Sequence, residues 1–439
     1  MPWTVSVDPT LAVPIRHVRG TRRVTRRPAR RSIPLLDASL TSVAVVAAVA
    51  VLAPLALALT GIRLPAIVLE ILLGIVVGPQ VLGWAHLDEP VRVLALVGLA
   101  FLLLLSGLEL DLDRLRGRVL RLTGLGFALS FALALIVGYG LGAAGLVRSP
   151  LLIAIILSAT GLGIILPILK DAGETETPFG RVLVAGASIA EVAPIVLLSL
   201  FFSGKSGGVG GKLVLLVAFV VFAAAVAATI VELERSRRLS DALLRLQDTS
   251  AQIRVRGTFL LLALFVVFAS RFGLEAILGA FFAGATLTLV DRDEMMTHTF
   301  LRAKLEAVGF GVFVPFFFIS TGMKLDVRSL FEHGSTLARV PIFLAALLLV
   351  RGLPALVYRP FAKGRGQVVG AGLLQATSLS IPVVAGQIGL SLSLISPQSY
   401  VALVAAGLLS VIVFPLVALP LLVERDAPDP SEAQAQVST

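Results

Sequence analysis

The chain has no cysteine. That excludes disulfides, thiolate metal sites and thiol nucleophiles. Histidine is nearly as scarce, with only His17, His86, His298 and His333. All four fall outside the apolar segments drawn below, which argues against a histidine-ligated metal within them. Charged residues make up only 15% of the 439 positions, and no stretch reads as a separate water-soluble domain. Neither H-E-x-x-H nor G-x-S-x-G stands in a plausible context, and no nucleophile–base set accompanies them. An enzyme is therefore not expected, nor is a cofactor.

What the chain has in abundance is apolar length. Hydrophobic residues are 57% of it, and its mean hydropathy is +0.97, where a soluble domain sits near half apolar. About thirteen apolar segments stand out, many near the roughly 20 residues that cross a bilayer. They are 39–60, 64–83, 90–110, 121–145, 149–169, 181–202, 213–232, 257–270, 273–290, 307–323, 338–358, 367–389 and 399–423. The expected fold class is an all-α, multi-pass membrane protein. The eighth and ninth segments form one long run. It divides at Ser270-Arg271-Phe272-Gly273, where a charge and a glycine favour a turn.

The basic residues lie mostly in short loops. One set of loops holds Arg114, Arg116, Arg118 and Arg121, then a run from Arg235 to Arg256, then Arg302 and Lys304, then Arg359, Lys363 and Arg365. The other set is poor in Lys and Arg. By the positive-inside rule the rich set is cytoplasmic, which puts the N-terminus outside and the C-terminus inside. This distribution also accounts for the net charge of +10 without a nucleic-acid partner. The basic stretch TRRVTRRPARR at 21–31 falls on the outer side, against the rule. Residues 1–33 read as a disordered basic tail and 424–439 as a polar one. Between them, 34–423 reads as one transmembrane domain.

Self-similarity runs through that domain. Leu69-Glu70 with Leu73-Gly74 recurs as Leu274-Glu275 with Leu278-Gly279. Gly107-Leu108-Glu109-Leu110-Asp111 recurs as Gly322-Met323-Lys324-Leu325-Asp326. Ala159-Thr160-Gly161-Leu162-Gly163-Ile164 recurs as Ala376-Thr377-Ser378-Leu379-Ser380-Ile381, each followed by a proline, Pro167 and Pro382. Matching segments lie seven apart, an odd number, so the copies run oppositely through the membrane. Two inverted five-helix repeats are expected, about 64–202 and 257–423, with linker helices in 213–256. Inverted repeats with a midplane site are a recurring transporter plan.

The third match is where chemistry is expected. Thr, Gly, Ser and Pro at mid-depth weaken both helices, and broken backbone is tolerated there only where it is buried or lines a cavity. Thr160 and Thr377 can offer oxygens to a cation. The next segment carries Glu191 near its middle, with Ser188 one turn before it on the same face. A carboxylate at a helix centre costs roughly 2.5–3.5 kcal/mol on insertion scales, so Glu191 reads as a working residue. Arg351, inside LLLVRGLPAL, is expected to compensate its charge. Glu70 is a third mid-span charge, either a scaffold residue or a second relay group.

At these residues the chain resembles the monovalent cation/proton antiporter superfamily, which includes bacterial sodium/proton antiporters and Kef-type potassium/proton systems. The resemblance covers about 39–423. It is carried by LPAIVLEILLGIVVGPQVLGW (64–84), FLLLLSGLELDLD (101–113), LSATGLGIILPILKDAG (157–173), ASIAEVAPIVLL (187–198), PFFFISTGMKLD (315–326) and ATSLSIPVVAGQIGL (376–390). It implies the sodium/proton antiporter fold, with two broken helices crossing, a homodimer and an elevator-like core in the cytoplasmic (inner) membrane. It implies H⁺ and Na⁺ or K⁺ as the exchanged partners, in contact with membrane lipid, and no metal beyond the transported cation. The family's acidic pair is usually Asp-Asp, Asn-Asp or Gln-Asp. Here the matching pair is Ala190-Glu191. The second position keeps a carboxylate and the first has lost its polar group. The rival readings are a sodium-coupled symporter of the same fold and a transport-silent cation or pH sensor.

Overall fold

In lipid, a segment that must satisfy its own backbone N–H and C=O groups has the helix as its solution. All regular structure among the described residues is helical. The computed structural model describes residues 33–61, 65–109, 117–175, 177–202, 209–235, 249, 251–290, 297–327 and 334–422. The two expected tails, Ile33 apart, lie outside the described residues, as does part of the arginine-rich loops.

The helices are α1 Ile33–Thr60, α2 Ala66–Val77, α3 Glu89–Leu108, α4 Gly117–Ala143, α5 Pro150–Leu157, α6 Leu162–Asp171, α7 Pro178–Phe202 and α8 Val209–Arg235. Then follow α9 Ile253–Phe272, α10 Ala276–Val290, α11 Thr297–Val308, α12 Val314–Lys324, α13 Gly334–Leu347, α14 Arg365–Gln375, α15 Ser380–Ser391 and α16 Pro397–Leu422. A π turn, Gly309–Phe313, joins α11 to α12 as one rod. A second π turn, Leu348–Gly352, and a 3₁₀ segment, Leu353–Phe361, prolong α13.

Among the described residues, ten helical rods are long and apolar enough to cross a bilayer. The apolar stretches Ala66–Val77, Pro150–Leu166 and Ala276–Val290 are shorter. Helix length alone therefore does not yield the expected thirteen crossings. The shortening has local causes. α2 stops at Gly78, which is extended, and Pro79 follows it, a residue that cannot extend a helix. The turn expected before Gly273 is present: α9 ends at Phe272 and Gly273 takes a left-handed conformation, φ 79°, which glycine adopts without penalty.

The helices pack in two groups. α1, α2, α3, α10 and α12 form one, with α8 and α9 against α10; α4, α5, α7, α13, α14, α15 and α16 form the other. α7 reaches from the second group onto α8 and α10 of the first. The first group carries the mark of the repeat. Gly107 ends α3 against the backbone of Phe281 and Ala285 on α10, and Gly322 near the end of α12 meets the backbone of Ile71 and Ile75 on α2. These glycines are the first residues of the matched strings 107–111 and 322–326. Each copy's second helix thus leans on the other copy's first, through a residue with no side chain to hold the backbones apart.

Candidate functional site

Both expected breaks are present. α5 gives way at Ser158–Gly161 before α6, and α14 at Ala376–Leu379 before α15. The reason is local chemistry. Ser158 turns its hydroxyl back onto the Ile155 carbonyl, 2.8 Å away, a bond that competes with the helical ladder. Pro382 falls in the first turn of α15, where a missing N–H costs nothing. The freed backbone groups are satisfied where the two breaks cross. Gly161 N–H donates to the Thr377 carbonyl at 2.9 Å, and Thr160 N–H to the Ala190 carbonyl at 3.2 Å. The Thr160 hydroxyl donates to the Gln375 carbonyl at 2.5 Å.

Arg351 lies beneath this crossing and is 3% exposed. Its Nε donates to the Thr160 hydroxyl at 2.7 Å, and its Nη2 donates to Gln375 Oε1. Gln375 Nε2 donates in turn to the Leu183 carbonyl on α7 at 2.8 Å. The expected Glu191–Arg351 pair is not formed: neither residue takes part in an ion pair among the described residues. The physical reason is the pair of helix ends. α5 and α14 both stop here, and the negative pole of a helix lies at its C-terminus. The guanidinium answers those two ends and leaves the acid to another partner.

That partner is the opposite kind of helix end. Glu191 is 7% exposed on α7. Its Oε1 accepts from the Ser106 hydroxyl on α3 at 2.9 Å. The amide of Leu162, the first residue of α6, also faces the carboxylate, and a helix N-terminus is positive. Oε2 is buried without a hydrogen-bond partner. The halves of the broken helices thus divide the charge, with the arginine at carbonyl ends and the glutamate at an amide end.

Glu191 lines a cavity of about 70 Å³. Its other oxygen-bearing walls are Ser106 and Glu109 from α3, the backbone at Gly161 and Gly163, and Ser380 at the start of α15. Leu105 and Phe310 supply apolar wall. Such a volume holds a few waters, or an alkali cation with part of its shell. At the mouth, Glu109 is 4.0 Å from Arg302, whose Nε is held at 2.7 Å by Glu306. The cavity runs between the two helix groups: α2 and α3 on one side, α6, α7 and α15 on the other.

The remaining expected site residues stand as follows. Thr160 is at the crossing, but its hydroxyl is engaged by Arg351 and Gln375. Thr377 contributes its carbonyl to Gly161 and turns its hydroxyl to Leu373. Ser188 is buried and donates to the Val184 carbonyl one turn back, not to Glu191. Glu70 is buried on α2 with Oε2 unpartnered; it does not line the cavity. Ser106, Glu109, Gln375 and Ser380 were not among the expected site residues. Glu109 and Ser380 sit inside the repeated strings and Ser106 directly before one, which was the available sign. Gln375 carried none beyond preceding the break.

The family described as "Sodium/hydrogen exchanger, transmembrane" matches residues 47–424. The putative Na⁺/H⁺ antiporter YjbQ of Bacillus subtilis (strain 168) is 28% identical over 406 residues, 89% of this chain. The chain spans 64% of that relative's length. The Na⁺/H⁺-K⁺ antiporter GerN of Bacillus cereus is 26% identical over 80% of this chain and 88% of its own. Among solved structures, the sodium proton antiporter MjNhaP1 from Methanocaldococcus jannaschii at pH 8 matches with a TM-score of 0.62 and 18% identity. That match covers 88% of this chain and 99% of the other, and establishes a common fold.

Proposed function

The chain belongs to the sodium/hydrogen exchanger transmembrane family, and from that membership we propose that it exchanges protons for Na⁺ or K⁺, both competing for Glu191. The observation that carries this reading is the state of that carboxylate. It is buried, holds one hydroxyl donor and, among the described residues, has no cationic side chain paired with it and keeps one oxygen unpartnered. A carboxylate so enclosed is costly while charged. A proton or an alkali cation neutralises it, and one excludes the other.

The neutralised group then crosses as the two helix groups move relative to each other. Unneutralised, it stays, and this couples the two fluxes. Arg351 keeps its charge throughout, because a guanidinium does not release its proton in the working range, and its bonds to Thr160 and Gln375 hold the crossing as one body. The cavity of about 70 Å³ suits an inorganic ion. Organic ligands occupy pockets of roughly 300–1,000 Å³.

The positive-inside rule, applied to the arginine-rich loops, supports a cytoplasmic position for the Glu109 end. Glu109 then stands at the inner mouth as an acid that concentrates cations. One exchanging acid gives one proton per cation and no net charge movement. In proteoliposomes, addition of Na⁺ or K⁺ should dissipate a pH gradient at a rate independent of an imposed membrane potential. Glu191→Gln, which can neither release a proton nor bind a cation as an anion, should abolish exchange at normal expression. Retained exchange in that variant, or a rate that follows voltage, contradicts the reading.

A further inference from the structure

The opposite end of the bundle from Glu109 holds a second, larger cavity that exchange does not use. Its volume is about 370 Å³, and it is lined by the loop 145–148 after α4, by the first turns of α13 and α16, and by Arg339. Two of its walls are guanidinium groups, Arg148 and Arg339, and four are hydroxyls, Ser335, Thr336, Ser396 and Ser399. No acidic side chain among the described residues lines it. Among the described residues neither arginine is in an ion pair.

Arg148 and Ser335 are exposed, while Arg339 and the Ser399 hydroxyl are tied into a network. Arg339 Nη1 donates to the Ser399 hydroxyl at 2.9 Å, and that hydroxyl donates to the Leu146 carbonyl at 3.1 Å. Ser396 donates to the same Ser399 hydroxyl at 3.1 Å. The network ties the loop after α4 to α13 and α16. Arg339 Nε is buried with no hydrogen-bond partner. Thr336 is 1% exposed and lines the cavity. Three helices also begin around this space. α13 starts at Gly334, α16 at Pro397 and α5 at Pro150, whose cap residue Ser149 makes no side-chain capping bond. Each contributes the positive pole of its dipole, although at α16 the Ser396 hydroxyl already caps the Ser399 N–H at 3.2 Å.

Two guanidiniums and nearby helix amino ends, at a polar cavity that no described carboxylate lines, favour an anion. We infer that this cavity binds an oxyanion of the phosphate class, held by Arg148 and Arg339 with hydroxyl donors from Thr336 and its neighbours. Guanidinium groups and hydroxyls together match the three or four acceptor oxygens of such an anion. At a membrane boundary the same chemistry comes from two sources, free phosphate or the headgroup of an anionic lipid.

The test uses the full-length protein purified in neutral detergent. Inorganic phosphate, titrated against chloride at constant ionic strength, should raise the unfolding temperature of the wild type in a saturable way, as any ligand of the folded state does. Arg148→Gln and Arg339→Gln should each raise the half-saturating concentration at least tenfold. Arg148 is exposed and makes no hydrogen bond or ion pair among the described residues, so its variant should fold and exchange cations at the wild-type rate, whatever Arg339→Gln does to folding. In a second arm, the protein is reconstituted with phosphatidylglycerol or with phosphatidylcholine and weighed by native mass spectrometry. Phosphatidylglycerol retained by the wild type and lost in Arg148→Gln assigns the site to a lipid phosphate, even where free phosphate has no effect. Absence of both responses, or responses unchanged in both variants, overturns the inference.

Discussion

Consider adding one methyl group at Gly107 or at Gly322. The structure gives these glycines the same duty in the two copies, so the two perturbations should have the same consequence. A Cβ on Gly107 would lie 2.8 Å from the Ala285 nitrogen and overlap the Phe281 carbonyl; a Cβ on Gly322 would lie 2.9 Å from the Ile75 nitrogen and overlap the Ile71 carbonyl. Ordinary heavy-atom contact is about 3.5–4.0 Å, so each helix pair must part by several tenths of an ångström or more. The atoms in the way are backbone and cannot swing aside. Overpacking of this kind costs about 1–3 kcal/mol, more than the roughly 0.5–1 kcal/mol that alanine gains over glycine within a helix. Gly124 and Gly140 on α4 supply the control, since a Cβ there meets nothing within 4 Å. Thermal unfolding in one detergent should therefore show Gly107→Ala and Gly322→Ala lowered by a similar amount, on the order of a few degrees. Gly140→Ala should be level with wild type or slightly above it. If Gly107→Ala and Gly322→Ala melt like Gly140→Ala, the reciprocal packing of the copies is wrong.

Three further outcomes follow from the site. Ser106→Ala removes the one side-chain donor to Glu191, a charge-assisted bond of about 1.5–3 kcal/mol that favours the ionised, cation-binding form. The apparent KM for cation at fixed pH should rise about tenfold or more, and an unchanged KM would contradict the contact. Arg351→Lys replaces a fork by a point charge that cannot span Thr160 and Gln375 together. Leaving one partner unsatisfied should cost about 1–3 kcal/mol, read as a lower unfolding temperature, and equal stability would show that the crossing does not depend on the fork. Glu109→Gln should raise the cation KM several-fold in low salt, with kcat within twofold of wild type and the difference shrinking as salt screens it. A large loss of kcat would instead put Glu109 in the exchange step itself.

Much of this architecture could be read from residue order, for identifiable reasons. A break at mid-depth needs residues that disfavour a helix, and Thr160-Gly161 and Thr377-Ser378 announce themselves against an apolar background. The turn at Gly273 was legible because a positive φ needs glycine. Glu191 stood out because a charge in an apolar helix is expensive. Partnership was harder. Arg351 suggested an ion pair because acid and base are both costly alone, yet its partners are two neutral side chains, Thr160 and Gln375, at the breaks. Gln375 is neutral and 24 residues from Arg351, so nothing in its neighbourhood marks it. Ser106 meets Glu191 across 85 residues, through the packing of one helix group on the other. Pattern gives the elements, whereas such contacts arise only when the groups are assembled.

The central claim is that one carboxylate holds either a proton or a cation. Proton release on cation binding measures this directly. Calorimetric titration of the purified protein with Na⁺ or K⁺, repeated in buffers of different ionisation enthalpy, counts the protons expelled. One proton per cation bound is expected in the wild type near the middle of its working pH range, and no release in Glu191→Gln. Cation binding without proton release, or release that persists in Glu191→Gln, would contradict the claim.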